Sequence, residues 1–214
     1  MTSFIQWAGN LRLPNFSYER NIDGLVAGID EVGRGPFAGP VVAAAVILDR
    51  SNYPPGMNDS KKLSKAKREI LFDQILATSH VGIGEASPAE IDEHNILQAT
   101  FIAMKRALQN LQITPAALLV DGNRDPNLGR PTQLIVKGDS VSLSISAASI
   151  VAKVTRDRKM CALSELYPHY GWERNSGYGT AEHRKGLSLY GVTPQHRRSF
   201  APIRKILDTH EVKN

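Results

Sequence analysis

The segment Gly28-Ile29-Asp30-Glu31-Val32-Gly33-Arg34-Gly35 sets two adjacent carboxylates at the end of a short apolar run, followed by a glycine-rich turn bearing one arginine. Neighbouring acids repel each other unless positive charge lies between them. Successive strand side chains face opposite sides, so Asp30 and Glu31 serve one site only where the backbone bends, and Gly33 and Gly35 make a bend easy. The segment points to a bound cation that polarises a phosphate; a solvated turn with two spare acids is the alternative.

Two further apolar runs end in the same way. Residues 116–120 read as a strand that stops at Asp121-Gly122-Asn123, and residues 132–136 run into Lys137-Gly138-Asp139. A single turn aspartate is ordinary, because its side chain bonds the local backbone. Three recurrences in one chain suggest that Asp30, Glu31, Asp121 and Asp139 converge at one edge of a sheet. Oxygen-only ligands of this kind suit Mg2+ or Mn2+ rather than zinc. Two such ions can activate water and stabilise the leaving oxygen of a phosphodiester.

The remaining pattern supplies a scaffold. Residues 25–31 form a first strand, and residues 41–48 a second buried one whose short connection implies an antiparallel pair. Gly33-Arg34-Gly35-Pro36-Phe37-Ala38 also fits a loose dinucleotide-binding pattern, but Pro36 and Pro40 bracket the place where its helix would start, and a strand-like run follows. Residues 61–76 suggest an amphipathic helix with Lys61, Lys62 and Lys65 crowding its first turn, against the macrodipole. Residues 81–85 read as a strand, and Ser87-Pro88-Ala89-Glu90 as a capping box opening a helix to about residue 111. In that helix His94 and Asn95 read as polar surface.

After Asp139 a long helix carries Leu143, Ala147, Ile150 and Val154 on one face and Ser142, Ser146, Ser149, Lys153 and Arg156 on another. The small hydroxyls leave room for a bulky anionic polymer, or else permit close packing on the sheet. Helices are expected over 181–190, from Thr193-Pro194 onward, and over 203–209. Residues 1–24, with Trp7, Phe16 and Tyr18, show no period and read as an irregular lead-in. The expected organisation is that lead-in, a catalytic domain over 25–180, and a small helical appendage over 181–214 whose basic residues could track a nucleic-acid backbone.

Composition narrows the partners. Among 214 residues, Lys and Arg outnumber Asp and Glu by 26 to 21, and the isoelectric point near 9.4 favours an anionic partner. Cys161 is the sole cysteine, which excludes an internal disulfide. No run approaches about 18 apolar residues, and residues 1–20 lack the features of a signal peptide, so a cytoplasmic protein without a membrane partner is expected.

Taken together, Gly28-Ile29-Asp30-Glu31-Val32-Gly33-Arg34-Gly35-Pro36, Asp59-Ser60-Lys61-Lys62-Leu63, Val120-Asp121-Gly122, Lys137-Gly138-Asp139, Ala147-Ala148-Ser149-Ile150-Val151-Ala152-Lys153-Val154 with Arg156-Asp157, and Gly177-Tyr178-Gly179-Thr180 resemble the bacterial ribonuclease HII family in content and order. The resemblance covers about residues 25–200. It implies an α/β, ribonuclease H-like fold with a central mixed sheet flanked by helices. The implied activity is cleavage of the RNA strand in RNA/DNA hybrids and incision 5′ to single ribonucleotides embedded in duplex DNA, leaving a 3′-hydroxyl and a 5′-phosphate, by a monomer using Mg2+ or Mn2+.

It further implies that Asp30, Glu31, Asp121 and Asp139 are catalytic metal ligands, that Gly33, Arg34 and Gly35 hold the ribonucleotide, and that Tyr178 touches its sugar. The 2′-hydroxyl is the group that separates RNA from DNA. Lys61, Lys153 and Arg156 are assigned to backbone phosphates, and His183 to the surface rather than to proton transfer. The competing readings are another two-metal nuclease of the same superfamily and a non-catalytic basic nucleic-acid-binding module.

Overall fold

The computed structural model describes residues 13–211. Of the expected lead-in, residues up to 12, Trp7 among them, lie outside this range. Five strands form one mixed sheet: β1 (Val26–Val32), β2 (Val41–Leu48), β3 (Ser79–Ala86), β4 (Ala117–Asp121) and β5 (Thr132–Ile135), in the order β3-β2-β1-β4-β5. β1 runs antiparallel to β2 and parallel to β4, while β3 is antiparallel to β2 and β5 parallel to β4. The parallel pair brings the C-terminal ends of β1 and β4, and hence their terminal acids, to the same edge.

Two long helices cover the faces. Helix α2 (Pro88–Gln109) packs Ile91, Ala99, Ala103 and Ala107 on Ala27, Ile29, Ala43, Ala45 and Leu118. Helix α3 (Leu143–Leu166) lies on the other face, where Ala147, Ile150 and Val151 meet Ala44, Val46 and, from α1 (Lys65–Thr78), Leu71 and Ile75. The capping box at Ser87 and Glu90 is present. Helix α2 is broken at Asn95, whose backbone enters the left-handed region (φ 65°) and whose side chain accepts from the Leu97 and Gln98 amides as a second cap inside the helix.

The hydroxyl face of α3 is buried, which decides between the two readings of it. Ser142, Ser144, Ser146 and Ser149 all lie in the interior. Small side chains allow α3 to touch β1, and at Gly28 a Cβ would stand 2.1 Å from the Ser144 carbonyl carbon. Glu19, itself buried, ends this contact at the N-terminus of α3, accepting from Ser142 Oγ (2.7 Å) and the Ser144 amide (3.2 Å).

Two local expectations are corrected. Lys61 and Lys62 do not open α1. They sit in a separate turn of 3-10 helix (Ser60–Lys62) capped by Asp59, and Ser64 then caps α1. Lys61 and Lys62 thus stand outside the first turn of α1, where Lys65, Lys67 and Arg68 still oppose the macrodipole. Residues 193–198 form turns rather than a helix, because His196 and Arg197 are drawn into the interior. A one-turn α4 (Trp172–Asn175), α5 (Ala181–Tyr190) and α6 (Ala201–Glu211) complete the chain, and Trp172, Leu187 and Ile203 share a core with Ala38 and Met160.

The α3–β1 contact leaves no space for a side chain at position 28. Gly28→Ala is expected to lower stability by about 1–3 kcal/mol or more, measured by urea unfolding. An unchanged midpoint would show that α3 can give way.

Candidate active site

Asp30 and Glu31 stand at the C-terminal end of β1, still inside the ladder with β2. The bend comes after them, at Gly33 (φ 94°). The two acids therefore point to opposite sheet faces without the bend expected between them, yet at the strand end both lie near Asp121, whose charge acts on each. Asp30 lies on the α3 side near Ser149, whose hydroxyl donates to Ser60 Oγ (2.9 Å). Glu31 lies on the α2 side, beside Thr100, Phe101 and Met104. Asp30 Oδ1 accepts from the Glu31 amide (2.7 Å), and Glu31 pairs with Arg34 (3.2 Å).

The other two acids come to the same edge. Asp121 ends β4 and accepts from the Gly138 amide (2.6 Å). Asp139 lies in a turn of 3-10 helix (Gly138–Ser140) entered through Lys137 in the left-handed conformation, φ 57°. Burial pushes the Asp30 carboxyl well above its ordinary range, and Glu31, Asp121 and Asp139 push it further. Burial likewise raises Glu31 against the counter-pull of Arg34, and raises Asp121 against its bond from Gly138. Asp139 is raised by burial and then by Asp59 and Asp121.

The acids share one electrostatic neighbourhood without forming a ready-made cage. Among the described residues no three acidic, histidine or cysteine side chains are gathered as an ion-holding cluster. Glu31 is turned to Arg34 and Asp121 to the Gly138 amide, each toward its own donor.

Asp59 is a fifth acid that sequence reasoning passed over. It caps the turn carrying Lys61 (2.9 Å to the Lys61 amide) and lies close enough to raise Asp139 by its charge. Its signal was an acid one serine ahead of a lysine pair. Burial works against the Lys61 ammonium, yet Asp59, Asp139, Asp30 and Asp121 together hold its pKa above the usual lysine value. Lys61 therefore sits at the acids.

Gly33 and Gly35 have opposite surroundings. At Gly33 a Cβ would meet Arg156 Nε at 2.1 Å, whereas at Gly35 it would stand 3.5 Å from Tyr178 Cε1. The half-exposed Tyr178 ring thus overlies the outer side of the turn.

Arg156 is a correction. It is 1% exposed and donates to the carbonyls of Pro40 (2.9 Å), Ser176 (2.9 Å) and Ala38 (3.1 Å), so its guanidinium is used up inside the protein and does not reach a backbone phosphate. Lys153 is paired with Asp157 one helical turn on (2.7 Å).

His183 is likewise buried rather than at the surface. The Thr193 amide donates to His196 Nδ1 (2.9 Å), which puts the neutral His196 proton on Nε2. That proton faces His183 Nε2 (3.0 Å), leaving His183 Nδ1 to donate to the Tyr178 carbonyl (3.0 Å). The relay anchors the Tyr178 loop from behind. Burial depresses both imidazoles, His196 to about 3 with further help from His183.

An α/β sheet presenting carboxylates at the shared ends of β1 and β4, beside a glycine turn and an exposed tyrosine, defines a hydrolase of the ribonuclease H-like class. The chain belongs to the ribonuclease HII family, whose sequence profile matches residues 27–203. A ribonuclease HII from Jannaschia sp. (strain CCS1) is 58% identical over 195 residues, covering 91% of this chain and 98% of that protein. Another, from Paramagnetospirillum magneticum (strain ATCC 700264 / AMB-1), is 57% identical, covering 89% and 97%. Among solved structures, ribonuclease H2 from Pyrococcus horikoshii OT3 superposes with a TM-score of 0.76 at 32% identity, covering 89% of this chain and all of that one. The chain is accordingly a ribonuclease H, a phosphodiester hydrolase of RNA/DNA hybrids. No helix among the described residues is long and apolar enough to cross a membrane.

The buried histidines carry a pH signature. An unfolded histidine titrates near 6.5 and folded His196 near 3, so between these values the unfolded chain binds more protons and stability falls on acidification. His196→Gln is expected to flatten the decline in urea midpoint between about pH 6.5 and 4.5. Parallel curves for the two proteins would remove His196 from the pH response.

Proposed function

We propose that this chain, acting as a cytoplasmic monomer, cleaves the RNA strand of RNA/DNA hybrids and also incises 5′ to single ribonucleotides embedded in duplex DNA, leaving a 3′-hydroxyl and a 5′-phosphate. The observation that carries the reading is the adjacency of two parts: acids from β1, β4 and the Gly138–Ser140 turn at one sheet edge, and the Gly33–Gly35 turn overlain by Tyr178 beside them.

Asp30, Glu31, Asp121 and Asp139 would hold two divalent ions. The donor set fits. All donors are carboxylate oxygens, which suit Mg2+ or Mn2+, and desolvation with mutual repulsion raises each of their pKa values, a strain that cations relieve. Bound ions would supply activation of water and stabilisation of the leaving oxygen during in-line displacement.

The rest falls to the protein. Lys61 meets the scissile strand's phosphate beside the acids. The Gly33–Gly35 backbone approaches the sugar closely because Gly35 carries no side chain. Tyr178 closes over the same sugar and excludes a neighbour that lacks the 2′-oxygen from productive alignment.

The test is a duplex carrying one ribonucleotide against an all-DNA control, with Mg2+ or Mn2+ titrated. Wild type is expected to cut only the first, 5′ to the ribonucleotide. Asp30→Asn is expected to lose at least about 10²-fold in rate, while Tyr178→Ala loses rate or ribose discrimination. Equal cutting of both duplexes would support a nuclease blind to ribose. Binding without any metal-dependent cleavage would support a basic module with structural acids.

A further inference from the structure

Arg197 is as fully buried as any side chain in the protein. It comes from the turn after α5, yet its guanidinium lies behind the Gly33–Gly39 segment. It donates to the carbonyls of Arg34 (2.9 Å) and Gly33, and twice to Gly39 (3.0 and 2.9 Å). No carboxylate pairs with it or with Arg156 among the described ion pairs. Two guanidiniums, both depressed by burial, Arg197 to about 9 and Arg156 to about 10, thus have main-chain carbonyls as their direct partners, with Asp92 and Asp157 acting on them only at longer range. Burying a charge without a counter-ion is costly, and an apolar pair could fill this space.

The geometry shows what the arrangement achieves. A peptide unit is planar and trans, so its C=O and N–H point in opposite directions. Drawing the Gly33 carbonyl inward turns the Arg34 amide outward, and drawing the Arg34 carbonyl inward turns the Gly35 amide outward. Among the described residues neither amide donates to a protein acceptor, whereas those of Phe37 and Gly39 are bonded to Gly177 (2.8 Å) and Gln195 (2.8 Å). Consecutive outward amides form a small concave donor site. It lies under the Tyr178 ring.

We infer that Arg197 is a positioning residue for substrate discrimination: its fork, backed by Arg156, aims the Arg34 and Gly35 amides at the oxygen that a ribonucleotide carries and a deoxyribonucleotide lacks. This rests on the ribose-sensing function proposed above. The fork matters more than the charge. Donors fixed in one rigid plane hold the Gly33, Arg34 and Gly39 carbonyls in a set orientation, which the rotatable donors of a single ammonium do not impose. Arg197 touches no substrate; it acts through the turn.

Arg197→Lys and Arg197→Gln test the assignment, each first shown to be folded by circular dichroism and thermal melting. The probes are the single-ribonucleotide duplex and its all-DNA counterpart. Both variants are expected to lose about 10²-fold in kcat on the first, with affinity for the all-DNA duplex unchanged. Restoration by lysine would overturn the inference, since charge alone would then suffice. Full activity in both variants would overturn it as well. Should the variants not fold, hydrogen exchange on the wild-type protein decides. Rapid exchange at Arg34 and Gly35 beside protection at Phe37 and Gly39 is expected, and protection at Arg34 and Gly35 would overturn the inference. Failure of the wild type to incise the single-ribonucleotide duplex would instead overturn the reading of the site itself.

Discussion

The close approach of α3 to β1 across Gly28 is the constraint on which the site depends. With no side chain at position 28, the helix backbone settles almost onto the strand. The two then run side by side in the same direction. From Ser149 to Arg156 is seven helical residues, about 10.5 Å at 1.5 Å each. From Asp30 to Gly33 is three extended residues, about 10 Å. The advances match, so one helix places a hydroxyl beside Asp30 and a guanidinium against Gly33. Glu19 holds the start of that helix, and the Lys137–Ser140 turn leading into it delivers Asp139.

Charge is divided between the two sides of the glycine turn. On the open side stand acids that burial and mutual repulsion make reluctant to ionise. On the closed side two guanidiniums are spent on carbonyls. The first set invites cations and the second shapes backbone. The buried arginines behind the turn thus face carbonyls, while Lys61 stands on the acid side.

Much of the scaffold is legible in local pattern. Strand runs, the capping box at Ser87 and the recurrence of acids at strand ends follow from the pleat period, cap chemistry and the preference of turns for Asp, and the structure realises each. The placement of Asp30 and Glu31 on opposite faces also follows from the pleat. The break at Asn95, the burial of His183 and Arg156, and the approach of Asp59 to Asp139 do not. The break at Asn95 is a local cap that the apolar period hides; the others depend on partners distant in sequence, and Arg156 belongs to a residue type that is usually exposed.

Local sequence marked the strands and most of the helices, the acids near strand ends, and the family the motifs resemble, because these are properties of neighbours along the chain. Tertiary structure alone decided the side chains' work. It turned α3's hydroxyls inward, brought Tyr178 over Gly35, and sent Arg156 and Arg197 behind the glycine turn. A guanidinium's role is set by what surrounds it, and here those surroundings come from segments that meet only after the sheet has formed.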